Sequence, residues 1–257
     1  MRLALTRDIS PALARCELTH LEREPIDLEI ARRQHDAYEH QLTIAGCSVV
    51  RLAAEDEMPD SVFIEDTAVV FDEVAVITRP GAGSRRGETA AVAAAMAAYR
   101  PVVHIEAPAT IDGGDVLTVG RRVFVGESTR TNAAAISQLV RHLAPSGYTV
   151  HIVSVRGCLH LKSAVTAVSD DTLLINPEWV EVERFLPLTV IEVHPAEPYG
   201  ANAVRVGAAL IYPTAFPRTC ARLEGRGFSV AQVDVTEIAK AEGAVTCCSL
   251  IFCASAP

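Results

Sequence analysis

Short apolar runs paired across a polar or glycine-containing turn recur along this chain at nearly even intervals. Residues 61–78 (SVFIEDTAVVFDEVAVIT) turn at Asp72-Glu73, residues 114–127 at Gly120-Arg121, residues 163–176 at Asp170-Asp171 and residues 201–213 at Gly207. β-Branched and aliphatic runs flanking such turns predict four hairpins. A fifth run, AVTCCSLIF at 244–252, has no second strand after it, and the N-terminal MRLALT has no partner before it. The two termini are therefore expected to close one unit together.

Between the hairpins, amphipathic stretches at 27–45, 88–99, 132–144 and 217–226 read as helices, the last stopped by Gly227. A further strand at 102–105 completes a ββαβ unit. With Asp66, Gly114, His160, Asn202 and Cys247 as one landmark per unit, the steps are 48, 46, 42 and 45 residues. Five such units closed into a ring leave a central axis where loops from every unit can meet. No Pro/Ser-rich linker or composition break divides the chain, so one domain over residues 1–257 is expected, against the prior from length alone.

Bulk properties narrow the function. The formal charge of −9 and pI near 5.4 disfavour phosphate backbones and anionic lipid surfaces, so neither nucleic acid nor membrane is an expected partner. No run of 18 apolar residues is present, and Arg7 and Asp8 interrupt the N-terminal apolar stretch before a signal core could form. A cytoplasmic location follows as the default. Seven cysteines, without C-x-x-C or zinc-finger spacing, read as reduced thiols. Neither a metal-ligand motif nor a Rossmann or Walker glycine pattern appears, so no metal and no cofactor are expected.

Chemistry concentrates where strands begin or end. Cys247, in Val-Thr-Cys-Cys, is either a core thiol or a nucleophile; His160, in Leu-His-Leu-Lys, is either a structural histidine or a general acid that protonates an amine leaving group. Asp112-Gly-Gly-Asp115 suits a tight turn or a close approach to a ligand. Asp60, Glu65 and Asp66 form either a solvated loop or a clamp for a planar guanidinium. Arg85, Arg86 and Arg130 are surface groups or carboxylate binders.

Together, PDSVFIED, ITRPGAGSRRGE, DGGDVL, GES-x-RTN, LHLKS and VTCCS, in this order along nearly the whole chain, resemble the dimethylarginine dimethylaminohydrolase family of the pentein superfamily. The resemblance implies an α/β fold, a five-bladed α/β propeller of ββαβ units with pseudo-five-fold symmetry. It implies hydrolysis of asymmetric dimethylarginine or monomethylarginine to citrulline and an alkylamine, without a cofactor. Cys247 would attack the guanidinium carbon to form a thiouronium adduct, and His160 would serve as acid and then base. Asp112 matches the third catalytic position, where some members carry Glu and others Asp. Glu65 and Asp66 would clamp the guanidinium, Arg85 and Arg130 would bind the α-carboxylate, and Asp60 with the carbonyls of Leu18 and Ala241 would bind the α-amino group. Leu18 would belong to a lid.

Two rival readings stand beside this one. On the same fold, citrulline hydrolysis to ornithine or arginine deimination would use the same groups. A non-enzymatic amino-acid binder would have no need of Cys247, His160 and Asp112 together. The expected partner is a small molecule, with a homodimer allowed.

Overall fold

The computed structural model describes residues 1–254, whose strands form five three-stranded sheets. The chain enters through β1 (Arg2–Arg7), α1 (Leu28–Ile44) and β2 (Ser48–Leu52). β3 (Ala68–Val70), β4 (Ala75–Ile77), α2 (Thr89–Met96) and β5 (Val102–His104) make the next unit, and β6 (Val116–Val119), β7 (Arg122–Glu127), α3 (Ala133–Leu143) and β8 (Thr149–Ser154) the one after it. The short helix α4 (Leu161–Ala164) leads into β9 (Val165–Ala167), β10 (Thr172–Ile175) and β11 (Thr189–Glu192). β12 (Val204–Val206), β13 (Ala209–Pro213), α5 (Pro217–Glu224) and β14 (Ser229–Val233) follow, then α6 (Thr236–Ala239) and the last strand, β15 (Leu250–Cys253).

Each sheet has the same build: an antiparallel hairpin whose second strand pairs in parallel with a third. The sheet β15-β1-β2 follows the rule although its hairpin strands come from opposite ends of the chain, with Leu3 opposite Phe252 and Leu5 opposite Leu250. The termini close the ring, as the unpaired first and last runs predicted.

One apolar cluster lies between each pair of neighbouring units. On β10, Leu173 and Ile175 pack toward the second unit while Leu174 packs toward the fourth. Period-2 alternation sends successive side chains to opposite faces, and both faces are covered. This is why the strands read as continuous apolar runs. Each such fully buried aliphatic side chain contributes roughly 1.5–3 kcal/mol.

The helices follow their sequence signals. Asp27 caps α1, its carboxylate accepting from the N–H groups of Glu29 and Ile30 at 3.0 Å, and Asn132 caps α3 through Ala135 N–H. Gly227, two residues past the α5 cap, takes φ +86°.

Three expectations are corrected. SVFIED is not strand: Ile64–Thr67 forms a 3-10 turn and pairing starts only at Ala68. Cys247 lies in a turn before β15, not within a strand. His160 is not an alternating strand residue but the extended N-cap of α4, with Leu161 fully buried. The common cause is position. These segments carry polar side chains beside the ring axis, where hydrogen bonds to loops of neighbouring units replace the strand ladder. In the third unit a single 3-10 turn, Val182–Phe185, stands where the others carry a longer helix.

Candidate active site

All five landmark residues lie just before the first strand of their hairpins, and the segments bearing them are linked around the axis. Glu65 N–H donates to the Cys247 carbonyl (3.1 Å), Gly114 N–H to Asp66 Oδ1 (3.0 Å), and Leu161 N–H to Asp115 Oδ1 (2.9 Å). Asn202 Nδ2 donates to the Lys162 carbonyl (2.9 Å), and Thr246 N–H returns to Asn202 Oδ1 (3.0 Å). The circle holds groups from five units in one register, so that residues as far apart in sequence as Glu65 and Cys247 meet side by side.

The DGGD turn brings the second unit close to the first and third. A β-carbon at Gly114 would lie 2.6 Å from His160 Nδ1 and 2.9 Å from Asp66 Oδ1, and one at Gly113 would lie 2.0 Å from the Glu65 carbonyl. Only glycine permits this approach. Asp112 is fully buried; its Oδ2 lies 3.0 Å from His160 Nε2 and its Oδ1 accepts from Gly81 N–H at 2.8 Å. Asp115, which the sequence left without a role, accepts from Ser128, Thr131 and Leu161 and ties the turn to the next loop.

A small cavity collects Glu17, Asp60, Phe63, Asp66, Arg85, Arg130, Leu159, His160, Ala241, Glu242 and Cys247. Of the adjacent thiols, Cys247 is partly exposed, whereas Cys248 is 1 % exposed and has its thiol pKa driven up by burial. Burial and the carboxylates of Glu65 and Asp66 push the Cys247 thiol up to about 12. For His160, burial opposes the charged form, but Asp66, the Asp112 hydrogen bond and Asp115 overcome it and raise the imidazole to about 9. Burial likewise works against ionised Asp66, yet the charges of His160 and Arg85 and the hydrogen bonds from Arg85 and Gly114 hold it at about 2. The result is an acidic cage around a neutral thiol and a protonated imidazole, a setting that a bound planar cation would rebalance.

Arg85 is buried and heavily engaged. It donates to Asp66 (2.5 Å), to Glu88 through Nε and Nη2 (2.8–3.2 Å), and to the carbonyls of Asp60 and Phe63. Glu88, unassigned by sequence reasoning, is its buried counter-ion; burial raises that carboxyl to about 7 even with Arg85 beside it. Asp60, raised by burial, accepts from Glu17 N–H at 3.1 and 3.3 Å. Arg130 donates to Thr19 Oγ1 at 2.9 Å. Arg86 is exposed and bonds the Pro80 carbonyl, outside the cavity.

Two placements differ from expectation. Glu65 does not join Asp66 in the cavity: Lys162 Nζ (2.6 Å) and Thr246 Oγ1 (2.8 Å) hold its carboxylate, which lines a separate axial space with residues of the five inner strands. Adjacent residues in the 3-10 turn point their side chains in different directions, and that turn was read as strand. Leu18 packs on the apolar cluster containing Leu13 and Phe63 and does not line the cavity, although its neighbour Glu17 does. Ala241 lines it. Lys162 was within the LHLKS string, but nothing in its spacing signalled an ion pair with a residue 97 positions away.

Residues 54–210 match the family model described as arginine deiminase, more than half of the chain. The chain is similar to the N(G),N(G)-dimethylarginine dimethylaminohydrolase of Streptomyces coelicolor, 43 % identical over 253 residues that cover 96 % of this chain and 95 % of the relative. To the Pseudomonas aeruginosa enzyme of the same name it is 36 % identical, covering 88 % and 90 %. The P. aeruginosa enzyme, solved as a cysteine-to-serine mutant complexed with citrulline, superimposes with a TM-score of 0.93 at 34 % identity over 97 % of this chain and 98 % of that one. The N-terminal domain of a cyanobacterial arginine dihydrolase shares the fold, with a TM-score of 0.85 at 20 % identity and coverage of 97 % of both chains. With a relative of 43 % identity covered almost end to end, and the five-unit ring shared with solved members, this chain belongs to the dimethylarginine dimethylaminohydrolase family.

Proposed function

We propose that this protein hydrolyses Nω-methylated L-arginine to L-citrulline and an alkylamine through a covalent adduct on Cys247. The observation that carries the reading is the meeting of Cys247, His160 and Asp66, from three different units, on one cavity whose other wall holds Asp60, Arg85 and Arg130. Thiol, imidazole and a carboxylate serve the guanidinium end. Two arginines and a carboxylate suit the α-carboxylate and α-ammonium of an amino acid.

The guanidinium carbon is resonance-stabilised and a poor electrophile, so orientation and a soft nucleophile must do the work. Asp66 fixes the cation beside Cys247. The positive charge of the substrate offsets the two carboxylates that raise the thiol; the thiol releases its proton to solvent, and the thiolate attacks the guanidinium carbon. As the C–N bond to the alkylamine breaks, His160 gives the departing nitrogen its proton. With Nε2 occupied by Asp112, Nδ1 is the nitrogen left to carry that proton. Neutral His160 then takes a proton from water, which adds to the thiouronium carbon. Breaking the C–S bond, with the proton of the new hydroxyl passing to sulfur, releases citrulline and restores the thiol.

Glu65 supports the ring from behind the site, and the carbonyl of Ala241 and the loop around Leu18 serve the α-amino group. The whole chain acts as one catalytic unit in the cytoplasm, without a metal or cofactor and with a homodimer allowed. Among the described residues no helix is long and apolar enough to cross a membrane.

Intact-protein mass spectrometry after acid quench during turnover tests the reading. The expected result is a mass increase located on Cys247 and loss of turnover in Cys247→Ser; undiminished turnover in that variant rejects the nucleophile. The same reactions, assayed separately for alkylamine, ammonia, citrulline and ornithine, distinguish methylarginine hydrolysis from deimination of arginine or hydrolysis of citrulline.

A further inference from the structure

Glu242 has no part in the steps above, yet it lines the same cavity. It is the one residue other than glycine with a positive φ among the described residues, at 58°, a conformation disfavoured for any side chain with a β-carbon. Such a conformation persists where its surroundings over-determine it. The side chain shows what holds it: Oε1 accepts from three consecutive backbone N–H groups of the N-terminal loop, Thr19 (3.0 Å), His20 (2.5 Å) and Leu21 (2.7 Å). Successive N–H groups converging on one oxygen form a nest for an anion.

Oε2 of the same carboxylate is shielded from solvent and has no hydrogen-bond partner among the described residues. Leaving a buried acceptor unmatched is costly, more so for a charged one, and a donor that fits there is correspondingly favoured. The loop that Glu242 grips also touches other groups at this end of the cavity. Glu17 N–H donates to the Asp60 carboxylate, and Thr19 Oγ1 accepts from Arg130. Loop position and the geometry of the charged groups are thus coupled through contacts only one bond long.

We propose that Glu242 is a positioning and specificity-determining residue: Oε1 latches the loop over the cavity, and Oε2 accepts a hydrogen bond from the α-ammonium of the substrate. An ammonium has three N–H donors; Glu242 Oε2 joins Asp60 and the Ala241 carbonyl as an acceptor, while Oε1 holds the loop around Leu18 beside them. Loop closure and recognition of the ammonium become a single event, because one carboxylate serves both. The ammonium half rests on the proposed reading that an α-amino acid binds with its head group here; the latch half does not.

Glu242→Gln keeps the shape and removes the charge, whereas Glu242→Gly removes the side chain and suits φ 58°. Backbone hydrogen exchange without substrate reads the latch: amides of Thr19, His20 and Leu21 should exchange at least about ten-fold faster in Glu242→Gly. Kinetics with Nω-methylarginine and with its counterpart lacking the α-amino group read the ammonium contact. In Glu242→Gln, KM for methylarginine should rise about ten-fold with kcat changed less than about three-fold, while KM for the deamino compound stays within about two-fold. Unchanged loop exchange in Glu242→Gly overturns the latch. An equal rise in KM for both compounds overturns the ammonium contact. Should the unaltered protein turn over neither compound, the reading of the site and the ammonium contact fall together, and hydrogen exchange still decides the latch.

Discussion

Glu65 and Asp66 are neighbours in sequence, equal in charge and both buried, yet they belong to different regions of the molecule. Asp66 enters the cavity of Cys247 and His160, held by Arg85 and Gly114 N–H. Glu65 lines the axial space among the inner strands, closed into an ion pair with Lys162 and a hydrogen bond with Thr246. Asp66 is ion-paired too, with Arg85, but it shares its cavity with a raised thiol and a raised imidazole, so its carboxylate faces an incoming cation. Glu65 has its charge met by a lysine on the third unit, which spends it on holding the ring together. The same functional group, one position apart, serves chemistry in one case and architecture in the other, and the space each side chain enters decides which.

Substitutions at the two positions test the contrast most directly. Asp66→Asn should cost about 3–4 kcal/mol of transition-state binding, roughly 10²–10³-fold in kcat/KM with methylarginine. Glu65→Gln should instead lower unfolding free energy by about 2–3 kcal/mol, read by denaturant titration, because Lys162 keeps its charge but is partly exposed and loses less than a fully buried ion. Its kcat/KM should stay within about ten-fold of the parent. Equal losses of activity in both variants would erase the distinction.

Smaller effects sharpen it. Asp112→Asn should reduce kcat by about 2–3 kcal/mol, about 100-fold, as His160 loses the partner that fixes its orientation and raises it. Arg130→Lys should raise KM about ten-fold with kcat nearly constant, since a point charge replaces a planar fork.

The smallest change is a shift along the pH axis. Below about 9 the Cys247–His160 pair binds two protons, and one must leave before thiolate and imidazolium coexist; above it the pair holds one, until the thiol titrates near 12. The expected kcat/KM profile therefore rises with pH toward about 9. Asp66 raises both groups, so Asp66→Asn should move that rising limb to lower pH, visible in kcat/KM and in the rate of thiol alkylation. A limb that stays in place in this variant would detach Asp66 from the dyad.

Much of this arrangement was legible in the chain. Hairpin turns at Gly120 and Gly207, capping residues at Asp27 and Asn132 and the even spacing of five landmarks are local signals, each acting within a few residues. Cys247, His160 and Asp112 were read from short strings whose order along the chain resembled one family. What stayed hidden depended on contacts across units: the 3-10 turn that parts Glu65 from Asp66, Glu88 beneath Arg85, and the reach of Glu242 to a loop 221–223 positions away.

The sequence by itself determined the alternation, the caps, the glycines and the repeat, because these depend on backbone sterics and on periodic burial that a short window already contains. Only the tertiary structure decided which acid faces which partner and which titrating groups share a cavity. Desolvation and charge coupling act through distances of a few ångströms between residues that the chain separates by tens to hundreds of positions, and only closure of the ring brings them within reach.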